Sequence, residues 1–563
     1  MQHSFSIYRT YFLLLLLSFG LSQNAFAQIA LLDDISLTDQ QRDQQLLKNS
    51  FKNQSFLLRT AQDYRIQQNI PYRNIGTGKY KLWNDLKWDG IQIKYNLQDN
   101  SKMPYGFNNG NLYPAVGGQH RISIGTKLKW RFIELNLQPE MVTARNLNPP
   151  PYYGNQQDGN FWARYYFSIQ NNIDYYTRMG NKPLSTIFPG QSSLAFNIKK
   201  IAVGVSTENQ WWGAGVRNSL MMTNNAPGFY HLFLKTNKPI ETKWGTVEGK
   251  AILGRLESPT MAAPEDSMMR TIWEGGIVRK NLSVRRIEGF TVSYQPKWLP
   301  NFFVGYSFVT QSYIQNKNLI GKELGYFDAG RPKQQMGAFL FRFVLPKDHA
   351  EFYAELGQPN QAVSPWRFFG DSVKTGFVLG ARKLFPLGKN GKYFKLYAEF
   401  TQLQLMNPLL VIDNNSPFGE PLRNSWYTSA KIRQGYTHQG KLLGASIGPG
   451  SNSQTIGFSF HKGMNKIGFF FERVANNNDF YLYQYYSSAY YNRYYVDLHQ
   501  GVEAQWQVNQ HLVLAASVLK TNTLNYKWIR IEDGSPWDRP AAQSDRDNVL
   551  INFSLKYSLY AGR

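Results

Sequence analysis

Residues 549–560 alternate with a strict period of two. Val549, Ile551, Phe553, Leu555, Tyr557 and Leu559 are apolar, and Leu550, Asn552, Ser554, Lys556, Ser558 and Tyr560 between them are mostly polar. This period gives a β-strand one apolar and one polar face. The stretch ends close to the C-terminus, with Ala561, Gly562 and Arg563 after it. A strand of this kind closing an exported, aromatic-rich chain without cysteine points to an all-β, transmembrane outer-membrane β-barrel. In such a fold, function lies in the lumen and the surface loops.

The N-terminus carries the export argument. Arg9 precedes an apolar run with five consecutive leucines, Leu13 to Leu17, and Ala25-Phe26-Ala27 fits the small-residue cleavage rule. We expect a signal peptide over 1–27 and a mature start at Gln28. The alternative is an N-terminal anchor, but the run is shorter than the ~20 residues a helical span needs.

With Cys at zero there are no disulfides or thiolate metal sites. Strand pairing and packing must hold the fold. Aromatic residues make up 15% of the chain, which calls for membrane-interface girdles, glycan-stacking surfaces or both. The formal charge of +24 favours anionic partners: an acidic polysaccharide, lipopolysaccharide or nucleic acid. Export and the lack of a recognition motif argue against nucleic acid. Contact with outer-membrane lipid headgroups accounts for the charge equally well.

Residues 28–78 differ from the rest of the chain. Ser36-Leu37-Thr38-Asp39 offers a helix cap, and Leu46, Leu47 and Phe51 fall near helical spacing. We expect a short periplasmic helical segment there, with a disordered lead-in as the alternative. From 79 to 563 the pattern is strand and turn. Residues 91–97, 122–130, 133–138 and 394–400 alternate, and 456–460 and 467–471 flank a short turn. Longer polar stretches lie at 146–160, 258–266 and 413–424. Short turns at one end and long loops at the other fit a single barrel of roughly 16–18 antiparallel strands. A β-sandwich array would need repeats of about 100 residues, and none is visible.

Ser206-Thr207-Glu208-Asn209-Gln210-Trp211-Trp212-Gly213-Ala214-Gly215 resembles the signature of the Wzi capsule-assembly family. It continues through Arg217-Asn218-Ser219-Leu220 and Asn224-Asn225-Ala226-Pro227-Gly228-Phe229. Further blocks in the same order resemble the family in its Bacteroidetes form. They are 104–110, 292–300, 433–438 (Arg433-Gln434-Gly435-Tyr436-Thr437-His438), 443–453 and 470–474. Ala214 stands where members often have proline. The resemblance implies a barrel of about 18 strands with a periplasmic helical element and lumen-folded loops. It also implies a lectin-like role, binding exported capsular or exopolysaccharide at the cell surface. We expect no cofactor and a monomer.

The candidate polysaccharide-binding residues are Glu208, Asn209, Trp211, Trp212, Arg217, Asn224, Asn225, Arg433, Tyr436 and His438. An indole stacks on a sugar ring and donates through its N–H. Carboxylate, amide and guanidinium groups suit hydroxyls and uronates. The same residues also suit a buried network that fixes a lumen plug.

Three other features bear on function. Tyr481, Tyr483, Tyr485, Tyr486, Tyr490, Tyr491, Tyr494 and Tyr495 form a cluster, read as a strand hairpin in the aromatic belt or as a glycan track. Gly444-Ala445-Ser446-Ile447-Gly448 satisfies a hydrolase pattern, but its continuation Gly448-Pro449-Gly450 opposes the helix such an elbow requires. The eight histidines show no metal-ligand spacing. A non-enzymatic outer-membrane lectin is the leading expectation. A general porin or solute channel is the alternative, and a hydrolase built on Ser446 a third.

Overall fold

The computed structural model describes residues 34–48, 55–60, 73–74, 85–149, 159–261, 278, 280–314, 332–359, 375–388, 391–405, 425–485, 494–528 and 545–559. The expected signal peptide, the polar stretch 413–424, and Tyr486, Tyr490 and Tyr491 lie outside them, as does most of 258–266.

Eighteen antiparallel staves close into one barrel. Two are interrupted. Ile133–Leu137 and Glu140–Ala144 together face Gly117–Trp130, and Leu184–Phe188 and Ser193–Ile198 face them in turn. The last stave, Arg546–Leu559, closes the barrel on the first, Leu86–Asn100, in a register running from Leu550↔Asn100 to Leu559↔Ile91. Closure leaves no unpaired edge, as a bilayer demands.

The alternation in the sequence becomes an inside and an outside. Asn548, Leu550, Asn552, Ser554, Lys556 and Ser558 are buried. Between them, Ile551 is 47% and Leu559 46% exposed. Ile124, Phe352, Ile456 and Phe458 continue this apolar outer band. Polar residues inside and apolar residues outside invert the soluble arrangement, so the outer wall is made for hydrocarbon. No described helix is long and apolar enough to cross a membrane; the strands cross it.

The expected hairpins are present. Gly117–Trp130 turns into Ile133–Leu137 through Arg131, and Asn452–Lys462 turns into Asn465–Asn476 through Gly463. Trp244 and Trp298, 78% and 79% exposed, mark the short-turn end. Their turns touch: Lys297 N–H and the Tyr294 hydroxyl both donate to the Trp244 carbonyl.

Helix α1, Asp34–Leu47, begins two residues before the expected cap, so Ser36 lies inside its first turn. Arg42, Asp43 and Leu46 are fully buried. Arg42 meets Glu351 of the wall at 2.6 Å, and Asp43 takes Arg382 and Lys395, each at 2.8 Å. Arg342 and Arg382 reach Glu351 as well, each at 2.8 Å. Buried ions are tolerable only when every one is paired, so this network fixes α1 in the short-turn end of the barrel. Residues 55–60 run beside the inward segment 210–213. Leu58–Thr60 pairs with Gln210–Trp212, and Gly213 N–H donates to the Leu57 carbonyl at 2.9 Å.

Helix α2, Gly159–Gln170, and helix α3, Asn478–Tyr485, fill the other half. The tyrosine cluster is therefore not a strand hairpin over Tyr481–Tyr485, while Tyr495 opens the stave Tyr495–Gln507. The cluster's first part is α3, because Asn478–Tyr485 packs around aromatic neighbours and not along the wall. Tyr481 lies 5.4 Å from the Trp528 ring and 5.8 Å from Tyr494, while Tyr165 lies 4.8 Å from Trp528.

Candidate functional site: a pinned plug and a lumen cavity

Residues 213–220 form an inward loop held by three wall carboxylates. Gly215 and Leu220 N–H donate to Glu355 at 2.9 and 2.8 Å. Val216, Arg217 and Asn218 N–H converge on Glu399 at 2.7, 3.0 and 2.7 Å. Leaving one such buried donor unpaired costs ~1–3 kcal/mol, so these five bonds define the loop. Arg217 then forks onto Glu472, with Nε to Oε1 at 2.8 Å and Nη2 to Oε2 at 2.7 Å. Its guanidinium lies between the Phe107 and Phe470 rings, 4.0 and 4.4 Å from their centroids. Burial alone would lower the Arg217 pKa, but the Glu472 carboxylate overrides it and holds the pKa above the usual value.

Strand register puts Glu399 and Glu472 in one row. Tyr353, Gly380, Glu399, Thr455, Glu472, His499 and Thr521 form one row across seven adjacent staves. The Tyr353 hydroxyl donates to Glu399 at 2.9 Å and Thr455 to Glu472 at 2.8 Å. At the far end His499 Nδ1 bonds the Thr521 hydroxyl at 2.8 Å.

The tryptophan pair is interior. Trp211 and Trp212 are 2% and 1% exposed. Ser219 Oγ donates to the Trp212 carbonyl at 2.6 Å, and Trp212 N–H to Met222 O at 3.1 Å. Glu208 and Asn209 are buried beside them, and Asn209 Nδ2 donates to Ala226 O at 2.6 Å. The half-buried Asn224 accepts from Gly110 N–H at 2.7 Å. Tyr436 stacks on Tyr427 at 5.9 Å. His438 Nδ1 accepts Glu257 N–H at 3.1 Å, and burial together with Arg285 pushes its pKa down to about 3, so the ring is neutral. Arg433 is half-buried, with Nη1 3.5 Å from Asn171 O. Trp211, Trp212, Glu208, Asn209 and Arg217 thus belong to the plug and its anchorage.

Of the ten candidates, Asn225 lines a cavity of ≈ 110 Å³ in the long-loop half of the lumen. Its aromatic lining is Tyr105, Phe107, Tyr165, Tyr175, Tyr176 and Tyr495. Its polar lining includes Asn225, Ser446, Asn476, Asn477, Asp497 and His499. The volume has room for several water-sized groups. Tyr105 leans on His499, centroids 5.2 Å apart, and Tyr165 donates to Asn477 Oδ1 at 3.0 Å. Burial raises the Tyr175 pKa to about 12, so its phenol stays a donor. Ser446 is 8% exposed, and its hydroxyl has no hydrogen-bond partner among the described residues.

Sequence reasoning missed most of this lining, although the blocks at 104–110, 443–453 and 470–474 all contribute to it. Their shared order along the chain was the available signal. Their convergence depends on the barrel closing.

The model of the family described as capsule assembly protein Wzi matches residues 152–519. The chain belongs to the Wzi capsule-assembly family. Among solved structures it is similar to Wzi of Escherichia coli, described as an outer-membrane protein involved in group 1 capsule assembly and a carbohydrate-binding β-barrel. The TM-score is 0.53 and the identity 12%, over 84% of this chain and 85% of that one. At that identity the likeness is one of fold. OprD of Pseudomonas aeruginosa gives a TM-score of 0.40 and 8% identity, over 88% and 99% of the two chains. OccAB4 of Acinetobacter baumannii gives 0.38 and 9%, over 84% and 98%. No curated protein matches. As a Wzi-family barrel the chain resides in the outer membrane.

Proposed function

We propose that this Wzi-family barrel is a lectin-like anchor, binding exported capsular or exopolysaccharide at the cell surface as a monomer. Its apolar wall and aromatic rim meet the lipids of the outer membrane. The observation that carries the reading is the cavity. It pairs aromatic faces with polar groups that include the unpartnered Ser446 hydroxyl, the combination a sugar ring requires. The E. coli Wzi described as carbohydrate-binding shares the fold.

Of the ten candidates we assign Asn225 to the ligand. We assign Glu208, Asn209, Trp211, Trp212 and Arg217 to holding the plug, and Asn224, Arg433, Tyr436 and His438 to ordering the segments beside it. We read the protein as non-enzymatic. Ser446 has no base hydrogen-bonded to its hydroxyl among the described residues, and a serine nucleophile needs one. A lumen crossed by Trp212, Tyr427 and Tyr436, all buried, favours binding over a solute channel.

Surface polysaccharide retention in cells tests the reading. Cells producing the Tyr175→Ala, Asn225→Ala double variant should shed polysaccharide into the medium while the barrel still shifts on heating in gels. Full retention by that variant contradicts the assignment.

A further inference from the structure

Exposed cations lie at both ends of the barrel, Arg145, Lys182 and Lys431 in the long-loop half among them, but outside the cavity lining. Arg131, Lys199, Lys200, Lys243, Lys297 and Lys462 are exposed on the turns at the short-turn end, opposite the cavity. Within the cavity lining the cation is Lys441, and its ammonium is spent. Nζ donates to Asn109 Oδ1 at 2.6 Å, Gly110 O at 2.9 Å and Leu112 O at 3.0 Å, using all three protons. Burial and the nearby Arg121 also push its pKa down to about 7. Arg217, stacked on the lining residue Phe107, has its fork closed on Glu472.

The lining does hold a carboxylate. Asp497 accepts from Asn476 Nδ2 at 2.8 Å and from the Thr523 hydroxyl. A ligand carboxylate brought into this space would meet Asp497 and find no uncommitted lysine or arginine in the described lining. Like charges in a buried site are costly. What the lining offers instead is neutral: the Ser446 hydroxyl, the side-chain oxygens of Asn225 and Asn476, whose amide nitrogens donate to Leu442 O and Asp497, and the rings of Tyr105, Tyr175 and Tyr495.

We infer that the cavity takes an uncharged pyranose residue of the polymer, neutral or N-acetylated, and that any uronate carboxylates on the same polymer remain outside it. The inference rests on the polysaccharide-anchor reading. It replaces the expectation that net positive charge selects an acidic sugar at the site. Acidity would act only at a distance, through the exposed rim.

The test uses the full-length barrel in detergent micelles and the surface polysaccharide stripped from the source strain. The polymer is immobilised in its native form and after carboxyl reduction, which converts each uronate to the neutral hexose. Both forms should bind with dissociation constants within about twofold of each other, less than the affinity one charge-assisted contact supplies. Ser446→Ala should weaken both about tenfold, the worth of one hydrogen bond in a closed site. Tyr175→Ala should do the same by removing a stacking face, and heat-modifiability verifies the fold of each variant. Loss of binding on carboxyl reduction overturns the inference and leaves the anchor reading standing. Unaltered binding by both variants also overturns it, because recognition would then lie elsewhere. Failure of the native polymer to bind sinks the anchor reading itself.

Discussion

Arg217 and Glu472 meet edge to edge, Nε–Oε1 at 2.8 Å and Nη2–Oε2 at 2.7 Å, with Glu472 fully buried in the wall. The fork fixes orientation as well as charge. Removing one partner leaves a buried ion uncompensated, at a cost of ~3–5 kcal/mol. Arg217→Ala should therefore loosen residues 213–220, raise conductance in planar bilayers and expose the loop to protease. Arg217→Lys should fall between, because an ammonium cannot make two parallel bonds. Wild-type conductance in Arg217→Ala counts against this role.

Gly215 is required by close approach. A Cβ there would lie 1.9 Å from the Asn218 carbonyl oxygen. Gly215→Ala should displace the loop from Glu355 and lower the temperature of the gel-mobility transition. Gly463 differs: its φ is +61° and a Cβ would meet nothing within 4 Å. Gly463→Ala should cost only ~1 kcal/mol of backbone strain. Equal transition temperatures for the two variants would contradict the distinction.

Asp479 at the start of α3 accepts Leu405 N–H at 2.9 Å and the Ser425 hydroxyl at 2.6 Å. Burial outweighs these bonds and raises its pKa from 3.8 to about 7. The folded state then binds more protons than the unfolded one between roughly pH 4 and 7. Stability should fall as pH rises through that window and level off above it. Asp479→Asn should flatten this slope and gain most at pH 8, measured by denaturation of the detergent-solubilised barrel. An unchanged slope would show that Asp479 is ionised throughout.

Glu351 gathers Arg42, Arg342 and Arg382 at the short-turn end. Glu351→Gln removes the anion and leaves three guanidinium groups facing one another. Helix α1 should undock, with residues 34–47 becoming cleavable in a folded barrel. Protection equal to wild type would mean that Asp43 alone suffices to hold the helix.

The wall was legible because strand periodicity is local: Val549 to Leu559 sorted into outer and inner faces residue by residue. The hairpin at Arg131 was legible for the same reason. Asn478–Tyr485 was not, since its tyrosines serve an aromatic cluster with Tyr165 and Trp528 that no local spacing reveals. Trp211 and Trp212 stood out for their chemistry, yet their burial depends on the distant segment Leu58–Thr60 pairing against them. Ser446 drew notice through a hydrolase pattern. Its relevance comes instead from facing Asn225, Tyr175 and His499 across one cavity, contacts set by barrel closure.

The most direct test of the account is titration of the purified barrel with stripped surface polysaccharide. The account predicts saturable binding that the Tyr175→Ala, Ser446→Ala double variant loses and that Trp298→Ala, at the opposite end, retains. Binding undiminished in the double variant, or lost equally in Trp298→Ala, would contradict the placement of recognition in the lumen cavity.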